Sequence, residues 1–116
     1  MDFKKCIVES GKKLENSGLT VETWGNISIR DPETGKPTIE TGLHLAIYRN
    51  REEVNAVIHT HPMYSMVYAT QGKDIPLIID EAAQAMGDTC KCTQYALPGS
   101  EELADQCEKA LGKEAN

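Results

Sequence analysis

The 116-residue chain is predicted to fold as an α/β sandwich of layers, and three features carry that expectation. Stretches with helical apolar spacing alternate with short, β-branched runs. Clusters of Gly, Pro, Asp and Ser separate them as turns. Hydrophobic residues make up 40% and charged residues 26%, the balance of a globular chain rather than a disordered one. The length suits a single domain, residues 1–116, with one core.

Each element follows from its local pattern. Residues 2–16 place Phe3, Cys6, Ile7 and Leu14 near one helical face, and Ser17-Gly18 ends the helix. Gly25 to Arg30, GNISIR, alternates polar and apolar residues as a strand does, and Asp31-Pro-Glu-Thr-Gly35 is turn chemistry. A helix is expected from Pro37 to Asn50, with Thr38 as its N-cap and Leu43, Ile47 and Tyr48 at helical spacing. Val54 to Thr60 is a β-branched run that reads as a buried strand, and Pro62 suits the first turn of a helix reaching about Thr70. Ile75–Ile79 and Thr89–Tyr95 are expected as strands, with a short helix Asp80–Met86 between them. Pro98-Gly99-Ser100 opens a last helix whose Glu101 and Glu102 sit favourably against its dipole. Sheet direction does not follow from these patterns.

The formal net charge of −6 argues against non-specific nucleic-acid binding, which draws on a basic face. No apolar run approaches the roughly 20 residues that cross a bilayer, and MDFKKCIVES lacks a signal-peptide core, so a cytoplasmic setting without membrane contact is expected. In that setting Cys6, Cys90, Cys92 and Cys107 are expected as free thiols. Cys90 and Cys92 would share a strand face.

Chemistry concentrates in Val57-Ile58-His59-Thr60-His61-Pro62. In a strand, residues i and i+2 project from one face, so His59 and His61 would point together, roughly 6–7 Å apart at Cα. Two imidazoles at that separation can converge on one divalent ion, although surface hydrogen bonding accounts for the pair alone equally well. A catalytic zinc takes three protein ligands, so the pair is incomplete by itself. His44, one helical turn after Glu40, suits either a ligand or a packing residue. Glu40, at the start of the expected helix, is placed where the dipole favours its charged form and where a carboxylate can shuttle a proton; a solvated capping glutamate is the simpler alternative. Trp24-Gly25-Asn26 offers permissive backbone and donors that suit an anion, or merely a tight turn.

GLTVETWGNISIRD, KPTIETGLHLAIYRNREEVNAVIHTHPMYSMVYA and YALPGSEELADQCEKAL together resemble the class II aldolase/adducin family, in the family's order and over nearly the whole chain. The resemblance implies an α/β fold around a mostly antiparallel central sheet flanked by helices, and usually a homotetramer. It implies a zinc ion held by three histidines, and cleavage of a small ketose phosphate, L-fuculose-1-phosphate-like, into dihydroxyacetone phosphate and an aldehyde. On the matching motifs, His59 and His61 stand at two zinc-ligand positions and Glu40 at the acid/base position. Gly25, Asn26 and Thr38 stand at positions that contact the substrate phosphate.

Three departures accompany the match. Only PETG stands between the GNISIRD strand and the KPTIE segment, where family members carry a phosphate loop. The chain stops at GKEAN, before the family's Asn-His-Gly strand with the third histidine, so a C-terminal part is expected to be absent. Ile39 occupies a position where related aldolases often have a second phosphate-binding serine. A sugar-phosphate 4-epimerase, a methylthioribulose-phosphate dehydratase and a non-catalytic module like the adducin head are the competing functions on the same framework.

Overall fold

The computed structural model describes residues 2–20, 22, 24–39 and 41–113. Among them the order is α1 (Phe3–Asn16), β1 (Asn26–Ile29), α2 (Gly42–Asn50), β2 (Ala56–His59), α3 (Met63–Thr70), α4 (Asp80–Met86) and α5 (Glu101–Leu111). The architecture is α/β, as expected. β1 and β2 pair antiparallel, with Asn26 opposite His59, Ile27 opposite Ile58, Ser28 opposite Val57 and Ile29 opposite Ala56. α1 packs on β1, and α2 packs on α5.

Local chemistry starts the helices. Asp2 caps α1 by accepting the Lys5 N–H at 3.2 Å, and Ser100 caps α5 by accepting the Leu103 N–H at 3.1 Å; each bond satisfies an amide that helix geometry leaves without a partner. Arg30 closes the far end of β1. Its guanidinium donates to the carbonyls of Val54 at 3.1 Å, Tyr48 at 2.7 Å and Arg51 at 3.3 Å, and lies 4.8 Å from the Tyr48 ring centre. One side chain therefore joins β1, the last turn of α2 and the turn entering β2.

Three expectations are corrected. The run read as a buried strand over Val54 to Thr60 forms β2 only over Ala56–His59, with Ala56 and Ile58 exposed. The helix after the turn begins at Gly42 with Thr41 as N-cap, rather than at Thr38. The chain first runs back beside β1: Arg30 bridges Pro37, Thr38 N–H donates to the Ile29 carbonyl at 3.0 Å, and Thr38 Oγ1 accepts the Ile29 N–H at 3.1 Å. Those bonds hold residues 37 and 38 extended and delay the helix. The strands expected at 75–79 and 89–95 contract to one bridge, Ile75 with Cys90. Asp74 Oδ1 takes the Cys92 N–H at 2.6 Å, a side-chain bond in place of a second rung. Cys90 and Cys92 consequently do not share a strand face.

The tightly buried set is small: Ile27, Tyr48, Ala96, Ala104, Ser28 and His44. Much apolar surface stays outside. Tyr64 is 83% exposed, Met63 75% and Ile58, on β2, 60%. Apolar exposure on this scale marks contact faces.

Candidate active site

The site is built where the chain enters β1. Gly25 has φ +104°, a conformation that side-chain-bearing residues avoid. A Cβ there would lie 2.7 Å from the His59 carbonyl oxygen and 2.8 Å from Thr20 Cγ2. Only glycine lets this loop pass so close to the end of β2, and that passage sets Asn26 directly opposite His59.

His59 and His61 meet as the period of two predicts. Their rings stack with centres 4.8 Å apart and planes 20° from parallel. Trp24 stands edge-on to His61, with centres 5.6 Å apart and planes at 72°. The His61 N–H donates to the Leu19 carbonyl at 2.9 Å, which holds the chain in position after β2 ends. Burial, with the neighbouring charge of His61 as a smaller cause, holds the His59 imidazole below its ordinary pKa range. A neutral imidazole is the form that ligates a metal. The pair therefore fits two ligand positions. Among the described residues no group of three His, Cys, Asp or Glu side chains is placed to hold an ion.

Behind the pair lies a buried polar relay. Ser28 and His44 are both 0% exposed. Ser28 Oγ lies 2.5 Å from His44 Nδ1 and 2.9 Å from Tyr48 Oη. Among the described residues, three further buried side-chain atoms, Asn26 Oδ1, Thr41 Oγ1 and His44 Nε2, have no hydrogen-bond partner. Natural interiors seldom leave such atoms unpaired, and each costs on the order of 1–3 kcal/mol. They gather on the side of the sheet that faces the start of α2. Sequence reasoning missed Ser28 and Tyr48 as polar partners. Ser28 occupies a polar position of an alternating strand, which reads as facing water. The available signal was His44 and Tyr48 four residues apart on one helix, two polar groups stacked along a single face.

The other expected site residues fall differently. Thr38 lies beside Ile29, at the opposite end of β1 from Asn26, about 10 Å away by strand rise. Its hydroxyl already accepts the Ile29 N–H. Glu40 lies outside the described residues, between Ile39 and Thr41.

Burial lowers the His44 pKa from its ordinary value of 6.5, and the charge of His59 adds to the shift. A base whose folded value is depressed contributes stability that is complete above its unfolded value and is lost as pH falls through the folded one. Chemical-denaturation midpoints of the metal-free protein are accordingly expected to be level above pH 7 and to fall below about pH 6.5. In His44→Gln that acid slope should be shallower, which titrated denaturation curves would measure.

Residues 32–116 match the Class II Aldolase and Adducin N-terminal domain. The chain belongs to the class II aldolase and adducin family. The 5-deoxy-D-ribulose 1-phosphate aldolase of Bacillus thuringiensis serovar kurstaki is 33% identical over 85% of this chain and 62% of its own length. The L-fuculose phosphate aldolase of Methanocaldococcus jannaschii is 40% identical over 91% of this chain and 74% of its own. A solved L-fuculose 1-phosphate aldolase superposes with a TM-score of 0.83 at 26% identity, covering 95% of this chain and 67% of that one. This class II aldolase-like chain thus spans about three-fifths of the Bacillus relative's length. The Bacillus alignment occupies 132 positions, more than the 116 residues available, so that relative carries residues inside the matched span that this chain lacks.

Proposed function

We infer that the chain supplies the histidine pair and phosphate cradle of a metal-dependent class II aldolase acting on a small ketose phosphate. The observation that carries this reading is the stacked His59–His61 pair beside Asn26 at the end of β2. The names of two relatives, a 5-deoxy-D-ribulose 1-phosphate aldolase and an L-fuculose phosphate aldolase, support a small ketose phosphate as substrate, which cleavage would divide into dihydroxyacetone phosphate and a short aldehyde. The reaction is a carbon–carbon lyase step.

The roles follow from the chemistry of the groups. His59 and His61 would hold a zinc ion as two of its three protein ligands, the third coming from outside the described residues. Bound there, zinc would supply a Lewis acid for the oxygens of the ketose. Gly25 and Asn26 line a surface pocket, where the backbone and the Asn26 amide would offer donors to a phosphate. Thr38 is the more distant phosphate contact. Glu40, just ahead of α2, would move the proton between the substrate hydroxyl and the carbon released by cleavage. The exposed apolar side chains of α3 and β2 fit a homo-oligomeric, tetrameric assembly. The net charge of −6 and the lack of any long apolar helix among the described residues fit a cytoplasmic enzyme with a small-molecule partner. A non-catalytic adducin-like module on the same family framework is the alternative.

The test combines native mass spectrometry with a coupled assay for dihydroxyacetone phosphate. About one zinc per chain is expected, with cleavage of L-fuculose 1-phosphate or 5-deoxyribulose 1-phosphate that a chelator abolishes. A protein that binds no metal and cleaves neither sugar phosphate would be the interaction module instead.

A further inference from the structure

The buried relay has a direction. Tyr48, Ser28 and His44 share two hydrogen bonds through the single Ser28 hydroxyl. One proton arrangement uses both hydroxyl protons: Tyr48 O–H donates to Ser28 Oγ, and Ser28 O–H donates to His44 Nδ1. The reverse arrangement leaves the Tyr48 proton without an acceptor in a residue only 5% exposed. With Nδ1 accepting, the neutral ring carries its proton on Nε2. That atom is buried, and among the described residues it has no partner.

A complementary atom stands on the same face. Asn26 and Ser28 are two residues apart on β1, so their side chains project to one side, roughly 6–7 Å apart along the strand. Asn26 Oδ1 is an acceptor, also buried and also without a partner. An unsatisfied donor and an unsatisfied acceptor thus flank Ser28 on the side facing α2. One bond, direct or through a single water, would satisfy both.

We propose that His44 is a positioning residue that acts through Asn26: its Nε2–H, which makes no direct bond in the structure, claims Asn26 Oδ1 through a single bridging water and so turns the Asn26 amide nitrogen toward the ligand. An asparagine side chain presents an acceptor on one side and donors on the other, and its orientation is set by whichever neighbour claims the oxygen. A phosphate accepts hydrogen bonds, so it needs the amide donors facing it. With the oxygen claimed from behind by His44, the donors face outward before any ligand arrives, and no reorientation is required on binding. Ser28 and Tyr48 contribute by fixing the His44 tautomer. The inference rests on Asn26 belonging to a phosphate site, as read above.

Calorimetric titration with inorganic phosphate tests it. His44→Leu, which has no donor, should weaken phosphate binding roughly tenfold, the scale of one lost hydrogen bond. His44→Gln, which keeps a donor nitrogen near Nε2, should stay within roughly twofold of the parent. Asn26→Ala should weaken binding by itself, and adding His44→Leu to it should weaken binding no further, because the two act as one unit. Tyr48→Phe, which keeps the volume and removes the first proton donor of the relay, should show a smaller loss in the same direction even if His44→Leu folds poorly. Parent-like binding by both His44→Leu and Tyr48→Phe, or additive losses in the double variant, would overturn the role of His44. A parent protein that binds no phosphate would instead overturn the phosphate-site reading, and the inference would fall with it.

Discussion

Replacing His59 with alanine is expected to abolish stoichiometric zinc and to lower aldol cleavage by roughly three orders of magnitude, about 4 kcal/mol of barrier. The magnitude follows from its place. His59 is half of the stacked pair, it lies opposite Asn26, and its imidazole is held neutral by burial, the state a metal requires. Stability should change far less, by about 1 kcal/mol, since the residue ends β2 and its backbone pairing survives the substitution. His61→Ala should behave alike, because its ring completes the pair and its backbone N–H is bound to Leu19 independently of the side chain. Metal content by mass spectrometry, initial rates and a thermal melt, taken together, decide the matter. A variant with full zinc and more than a tenth of the parent rate would remove His59 from the ligand set.

Gly25→Ala is expected to be the most damaging small substitution, destabilising the protein by about 3 kcal/mol or more. Two independent causes act at this position. At φ +104° an alanine is strained whatever space surrounds it. Its Cβ would also come 2.7 Å from the His59 carbonyl oxygen, a backbone atom that cannot swing aside as a side chain does. Relief requires the loop and the end of β2 to separate, which would pull Asn26 away from His59. Function should therefore fail along with stability: phosphate and zinc should bind more weakly even well below the melting temperature. Denaturant titration measures the first effect and calorimetry the second. A change under about 0.5 kcal/mol, with ligand binding intact, would show that the loop accommodates a side chain.

The elements that were legible in the sequence are those whose signals are local. α1 and α5 were readable because apolar residues recur at helical spacing between cap and stop residues, and Ser100 does cap α5. The histidines were readable as a pair because strand geometry sends i and i+2 to one side whatever surrounds them. Thr38 was misread as a helix cap because its hydroxyl suits a cap equally well, and only the return of residues 37 and 38 along β1 claims it for Ile29. The segments 75–79 and 89–95 have strand-like composition, yet pairing needs a partner in register, and Asp74 intercepts the Cys92 amide. Composition records propensity, whereas the ladder is a contest between distant groups for the same donors.

The sequence by itself determined the family, the fold class and the pairing of His59 with His61, because each is written in residue types at short, fixed spacings. Tertiary structure alone decided the rest of the site. It turned Ser28 inward against His44 and Tyr48, brought Gly25 against the His59 carbonyl and placed Asn26 opposite His59. Those facts depend on which face of β1 is covered by α2 and on the register of β1 with β2. Both are set by packing between segments far apart in the chain, where the burial of a polar side chain depends on the partner it meets rather than on its own neighbours.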